Sequence, residues 1–328
     1  MTKILKIIII SFLLTALPAW GQQYSISPVN ADAVVSPESI RDKVEQLTDP
    51  STGGRATGTE GGRRCAYWLS DAFRVLNLQP VTGAWLHGFS TSEGLARNVI
   101  GLIPGSNWPT RYVVLMAHYD NLGTLNGKFY PGADSNASGV AALLELAGMV
   151  THMNTCHKMY GSGLLVVALD GKEKDQAGAG ELWRLIQNGR LKDPVSGNPI
   201  YADQISLVVN LDQLGGTSSP LQEGHPRFLM MLSEEATGRR SALLNANEGR
   251  GLGLELAFDY YGSKDFTRLF YRQISDQRVF LEHGIPAVMF TSGITLQNNK
   301  TTDTADSLDY DVLYDRIRLI FRYLDKVL

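Results

Sequence analysis

The chain has 328 residues, 44% of them hydrophobic and 19% charged, with a formal net charge of −3. That balance supplies enough apolar surface for a large core and excludes a disordered chain, which combines low hydrophobicity with high net charge. Charges of both signs are mixed along the length with no basic block, so nucleic acid is not an expected partner.

Met1 to Gly21 reads as a signal peptide: Lys3 and Lys6 give a positive start, Ile7 to Leu17 is an apolar run too short to span a bilayer, and Ala19-Trp20-Gly21 offers a small-residue cleavage site. The expected mature protein is exported, periplasmic or extracellular, with a formal charge of −5 and no later run long enough to span a membrane. Residues 22–35 form a polar, irregular lead-in, and residues 36–328 form one domain. The two cysteines, Cys65 and Cys156, leave a disulfide and two free thiols open; the apolar helix face that carries Cys65 favours the free thiols.

Ser36-Pro37-Glu38 starts a helix, with Ser as cap and Pro at its first position. A second helix runs from about Gly61 to Leu76, with Cys65, Trp68, Leu69, Ala72, Phe73 and Leu76 on one face. Strands and helices then alternate. Strands are expected at Asn98–Ile103, Tyr112–Ala117, Leu164–Leu169, Ile205–Leu211, Phe228–Leu232 and Pro286–Phe290, and helices at Ser138–Met153, Glu181–Gln187 and Val312–Val327. Continuous apolar strands such as Leu164–Leu169 are buried on both faces. The expected fold is therefore α/β: a central, mostly parallel mixed sheet with helices on each side. Residues 189–202 and 233–264 read as surface insertions. Tyr260, Tyr261 and Phe266 read as core more readily than as the lining of a specificity pocket.

Four predicted strand ends carry chemistry: His118-Tyr-Asp120, Gly-Ala-Asp134-Ser-Asn-Ala-Ser-Gly, Asp-Gly-Lys172-Glu173 and Asn-Leu-Asp212. Ligands of open α/β sheets bind at the carboxyl ends of the strands. Imidazole and carboxylate donors gathered there suit a hard or borderline metal. His118 and Asp120 lie two apart, so they can share a direction, and Asp120 can orient the ring.

These motifs, together with Gly54-Arg55-Ala-Thr-Gly58 and Gly284-Ile-Pro-Ala-Val288, resemble the co-catalytic zinc exopeptidases. That family includes bacterial leucyl aminopeptidases, aminopeptidase S and glutamate carboxypeptidase. Glutaminyl cyclases and the non-enzymatic transferrin receptor ectodomain are relatives. The resemblance implies a zinc-exopeptidase-like (phosphorylase/hydrolase-like) architecture and hydrolysis of an N-terminal peptide bond by metal-bound water. It implies His118, Asp134 and Asp212 as one metal site, with Asp134 bridging to a second site that holds Glu173, and Asp120 as the orienting residue.

Two positions depart from the family. Lys172 stands where the general base, a Glu, is usual. Asn299, in Asn299-Lys-Thr-Thr-Asp303-Thr, stands at the place of the last His ligand, and no His follows His283. One zinc is expected rather than two, at His118, Asp134 and Asp212. Lys172 would act as a base only with a strongly depressed pKa. Two placements of it stay open: its ammonium replaces the missing cation beside Asp134 and Glu173, or it points to solvent. The expected function is an exported zinc-dependent aminopeptidase-like protein with impaired hydrolysis, acting on peptides or protein N-termini. The alternatives are a non-catalytic binder of peptides or proteins and, less favoured, a single-zinc glutaminyl cyclase.

Overall fold

The computed structural model describes residues 30–107, 110–217, 225–233, 238–248, 251–260 and 262–328. The expected signal peptide, the lead-in up to residue 29, and Tyr261 lie outside these residues. The described end of the lead-in is not irregular: Ala31–Val34 form a 3-10 turn, and Ala31 and Val35 are buried in the main core.

The first helix, α1 (Pro37–Thr48), starts as its sequence dictates. Ser36 Oγ accepts from the Ser39 N–H and Ser39 Oγ accepts from the Ser36 N–H, a reciprocal cap. Helix α2 (Glu60–Val75) is capped by Thr59 and buries Cys65, Leu69 and Phe73. Cys65 and Cys156 are both free.

The strands are β1 (Gln79–Pro80), β2 (Leu86–Thr91), β3 (Gly94–Ile103), β4 (Tyr112–His118), β5 (Gly123–Leu125), β6 (Lys128–Tyr130), β7 (Gly163–Leu169), β8 (Ile205–Leu211), β9 (Phe228–Ser233), β10 (Glu255–Ala257) and β11 (Ala287–Thr291). The remaining helices are α3 (Ser138–Thr155), α4 (Ala177–Gln187), α5 (Arg239–Glu248), α6 (Lys264–Gln273), α7 (Gln277–Glu282) and α8 (Tyr310–Val327). One mixed sheet runs in the order β1-β3-β7-β4-β8-β11-β9-β10, with β2 also on β3; β5 and β6 form a separate hairpin. The centre is parallel: β4 pairs with β7 and β8, and β8 pairs with β11. The β3–β7 and β9–β11 pairs are antiparallel.

Period-two alternation feeds two cores. Val113, Leu115 and Ala117 of β4 pack with α1, α2, α3 and α8, whereas Tyr112, Val114 and Met116 pack with α4 and α7. The mixed sheet with helices on both faces is thus as expected from the buried strands, but it is parallel only at its centre and at the β9–β10 edge, with as many antiparallel pairs as parallel ones. Residues 233–264 differ from expectation: they are not a plain surface insertion, because α5 and β10 lie there, Leu243 is buried in the main core, and β10 extends the sheet. Tyr260 is buried and its hydroxyl accepts from the Ile294 N–H, while Phe266 is 40% exposed.

Candidate functional site

Because β4, β7 and β8 are parallel neighbours, their carboxyl ends lie side by side. They deliver His118 and Asp120, then Asp170 to Glu173, then Asp212. Asp120 is fully buried and works on the neighbouring turn. Its Oδ1 accepts from the Lys172 N–H at 3.0 Å, and its Oδ2 accepts from the Glu173 N–H at 3.1 Å. It orients His118 through its backbone: His118 Nδ1 donates to the Asp120 carbonyl at 3.0 Å, with Oδ1 farther off at 3.6 Å.

On the other side of the ring, His118 Nε2 lies 3.5 Å from Asp212 Oδ1. Burial alone would lower the imidazole pKa, but Asp120 and Asp212 outweigh it and raise it to about 10. Burial would likewise raise Asp212, yet His118, Lys172 and Ser275 bring it down to about 2. Ser275 Oγ donates to Asp212 Oδ2 at 2.6 Å.

Lys172 does not point to bulk solvent. Its side chain is 17% exposed and its Nζ donates to Glu173 Oε1 at 2.9 Å. Burial would lower its pKa, but Asp212, Glu173 and Asp276 raise it well above the ordinary lysine value. The condition on which Lys172 could act as a base, a strongly depressed pKa, is therefore not met.

Asp134 Oδ1 accepts from the Gly215 N–H at 2.8 Å, the Gly216 N–H at 3.0 Å and Ser138 Oγ at 3.2 Å. The approach is close: a Cβ on Gly216 would lie 2.6 Å from Asp134 Oδ2. Burial and the nearby Asp303 raise Asp134 to about 7. The carboxylate thus fastens the loop after Asp212. Its Oδ2 is buried without a hydrogen-bond partner, so only one of the two oxygens is committed to the loop. Asn299 is exposed; the preceding Asn298 accepts at Oδ1 from Gln213 Nε2 at 3.0 Å. The expected ligand position is therefore exposed, and the residue before it is bonded to Gln213 just beyond the end of β8.

Among the described residues, no three His, Cys, Asp or Glu side chains form a group able to hold a metal ion. His118 Nε2 is buried without a hydrogen-bond partner, but the atom it faces is Asp212, already held by Ser275. The donor set does not fit the one-zinc or two-zinc arrangement that the motifs led us to expect.

Three participants were not singled out from the sequence. Asp276 is fully buried, and neither of its oxygens has a hydrogen-bond partner. Burial raises it to about 7, with His118, Asp120, Asp212 and Lys172 as its charged neighbours. Asp170 accepts from the Arg97 N–H, Thr57 Oγ1 and Tyr119 Oη, which bind it into the scaffold beside Asp120. Asp303 accepts from the Asp134 and Ser135 N–H groups at 2.8 and 3.1 Å. Asp276 has no signal in sequence, because it follows no apolar strand; Asp303 sits in the quoted Thr-Thr-Asp stretch. A cavity of about 500 Å³ adjoins Glu173 and is lined also by Glu60, Glu93, Asn121, Thr57 and Lys174.

The profile of peptidase family M28 matches residues 98–324. The chain is 24% identical over 296 residues to the uncharacterized protein YfbL of Escherichia coli K12, covering 84% of this chain and 83% of that one. It is 32% identical over 136 residues to the BOS complex subunit ncln of Danio rerio, a match spanning 39% of this chain and 22% of the relative. Among solved structures it resembles the LapA aminopeptidase of Legionella pneumophila, with TM-score 0.68, 14% identity and coverage of 90% and 73% of the two chains. It also resembles BSAP, a zinc aminopeptidase from Bacillus subtilis, with TM-score 0.66, 13% identity and coverage of 89% and 95%.

Proposed function

Given that the chain belongs to peptidase family M28, we propose that it is an exported exopeptidase-like protein that receives peptide N-termini but hydrolyses them far more slowly than an intact site of its family. The single observation that carries this reading is the half-buried ammonium of Lys172, ion-paired with Glu173 at 2.9 Å where a proton acceptor is needed. A general base contributes roughly 10²–10⁴-fold to such a reaction. The similarity to zinc aminopeptidases suggests zinc as the metal of an intact site, and the donor set of this chain departs from it.

Peptides remain the fitting ligand class. The peptidase-like fold supports that class; the carboxylates lining the cavity beside Glu173 are themselves paired, Glu60 with Arg63 and Arg64, Glu93 with Lys174 and Glu173 with Lys172. Turnover of aminoacyl-p-nitroanilides, run beside cyclisation of a peptide with N-terminal Gln, tests the reading. We expect no cyclisation and turnover at least about 10²-fold below that of an aminopeptidase with a working base. Turnover at the ordinary rate would restore a plain enzyme. Cyclisation at appreciable rate would select the glutaminyl cyclase alternative.

A further inference from the structure

The charges of the cleft do not balance without Lys172. Asp120, Asp212 and Asp276 are buried, and Glu173 reaches the same place from the cavity side. Asp120 is satisfied by the Lys172 and Glu173 N–H groups, and Asp212 by Ser275. Asp276 has no hydrogen-bond donor on either oxygen. Buried carboxylates are tolerated when they are paired or coordinate a metal. Two nitrogen groups stand among these four acids: the His118 ring, which lies between Asp120 and Asp212, and the Lys172 ammonium, which is bonded to Glu173 and has Asp212 and Asp276 as charged neighbours. Both neighbour Asp276, and Lys172 is the one bonded to Glu173.

We propose that the Lys172 ammonium is the resident cation of this cleft, taking the electrostatic place of a metal ion among Glu173, Asp212 and Asp276, so that the folded protein neither needs nor takes up zinc there. An ammonium is a compact charge with three donors on a flexible stem, which lets it face several carboxylates at once. The inference rests on the donor geometry and not on the proposed peptide function. Asp120 and Asp212 are bonded to protein donors, Asp134 commits Oδ1 to Gly215 and Gly216 while its Oδ2 has no partner, and Asp276 has charged neighbours but no donor.

The full chain, purified without chelator and then dialysed against zinc, gives the test. Metal content by mass spectrometry should stay well below one zinc per chain. The melting temperature should not move with EDTA or with added zinc. Lys172→Met should lower the melting temperature by about 5–10 °C, because removing one partner of a buried charge group leaves the others uncompensated. Lys172→Arg, which keeps the charge, should lose less. A Lys172→Met chain that fails to fold agrees with the proposal, and the wild-type measurements still decide it. Stoichiometric zinc, a chelator-induced fall in melting temperature, or a Lys172→Met protein as stable as its parent would each overturn it. Fast peptide hydrolysis by zinc-free protein would instead defeat the proposed function and leave this inference standing.

Discussion

Ser275 donates from Oγ to Asp212 Oδ2 at 2.6 Å, tying the end of β8 to the turn that opens α7. Asn210, two residues before Asp212, donates in turn to Ser275 Oγ at 2.9 Å. The Asp212 carboxylate is thus fixed by a relay that leaves and re-enters the same strand.

Replacing Ser275 by Ala removes both bonds inside a fully buried site. The expected cost is about 1–3 kcal/mol, the range for a buried polar group left without its partner. Urea unfolding should show a lower midpoint at unchanged slope. A midpoint equal to the parent's would mean that Asp212 finds another donor.

Arg55 holds the floor of the site. Its guanidinium is fully buried and donates to the carbonyls of Tyr119, Leu47, Pro131 and Gly132 at 2.7–2.8 Å. A lysine ammonium cannot reproduce this planar fork. Arg55→Lys should destabilise by about 1–3 kcal/mol for each carbonyl left unpaired, read as a drop in melting temperature. A chain that melts with its parent would show that the loop can repack around the smaller head.

Acid sensitivity should come in part from Asp193. Burial would raise its pKa, but the Ser196 N–H, the Tyr112 hydroxyl and the Val195 N–H hold it below the ordinary value. A depressed folded pKa stabilises the fold above the unfolded value of about 3.9, and this stabilisation is lost as pH falls through the lower folded value. Asp193→Asn should therefore flatten the pH dependence of stability below about pH 4. Parallel acid-unfolding curves for parent and variant would argue against this assignment.

Restoring the two departing residues should not restore an enzyme. Lys172→Glu combined with Asn299→His should fall well short of the roughly 10²–10⁴-fold gain of a working base, because Asn299 is exposed and Asp134 is bound to the Gly215–Gly216 backbone. A gain across that range in aminoacyl-p-nitroanilide turnover would overturn this.

Much of the scaffold is legible from sequence for a plain reason: Tyr112–His118, Gly163–Leu169 and Ile205–Leu211 are apolar at nearly every position, and only strands covered on both faces read that way. Their chemical ends, His118 and Asp212, could be placed together by the same argument. The direction of a carboxylate within a turn could not. Asp134 has the right neighbours for a ligand, but one of its two oxygens is claimed by N–H groups 81 and 82 residues later, a relation invisible to local pattern. Asp276 was missed because a lone acid after Ser275 looks like any helix start. Helix α5 was missed because it buries little more than Leu243 and Ala246, so its apolar face is faint.

Asp120 grips positions 172 and 173 by their main chain alone, through one oxygen for each N–H. The scaffold therefore recognises no side chain there. Whatever residue occupies position 172 is displayed from the same turn, at the same height above the sheet, next to Asp212. The same backbone can therefore display a proton acceptor or a permanent cation, which are opposites both to the chemistry and to the charge balance of the cleft.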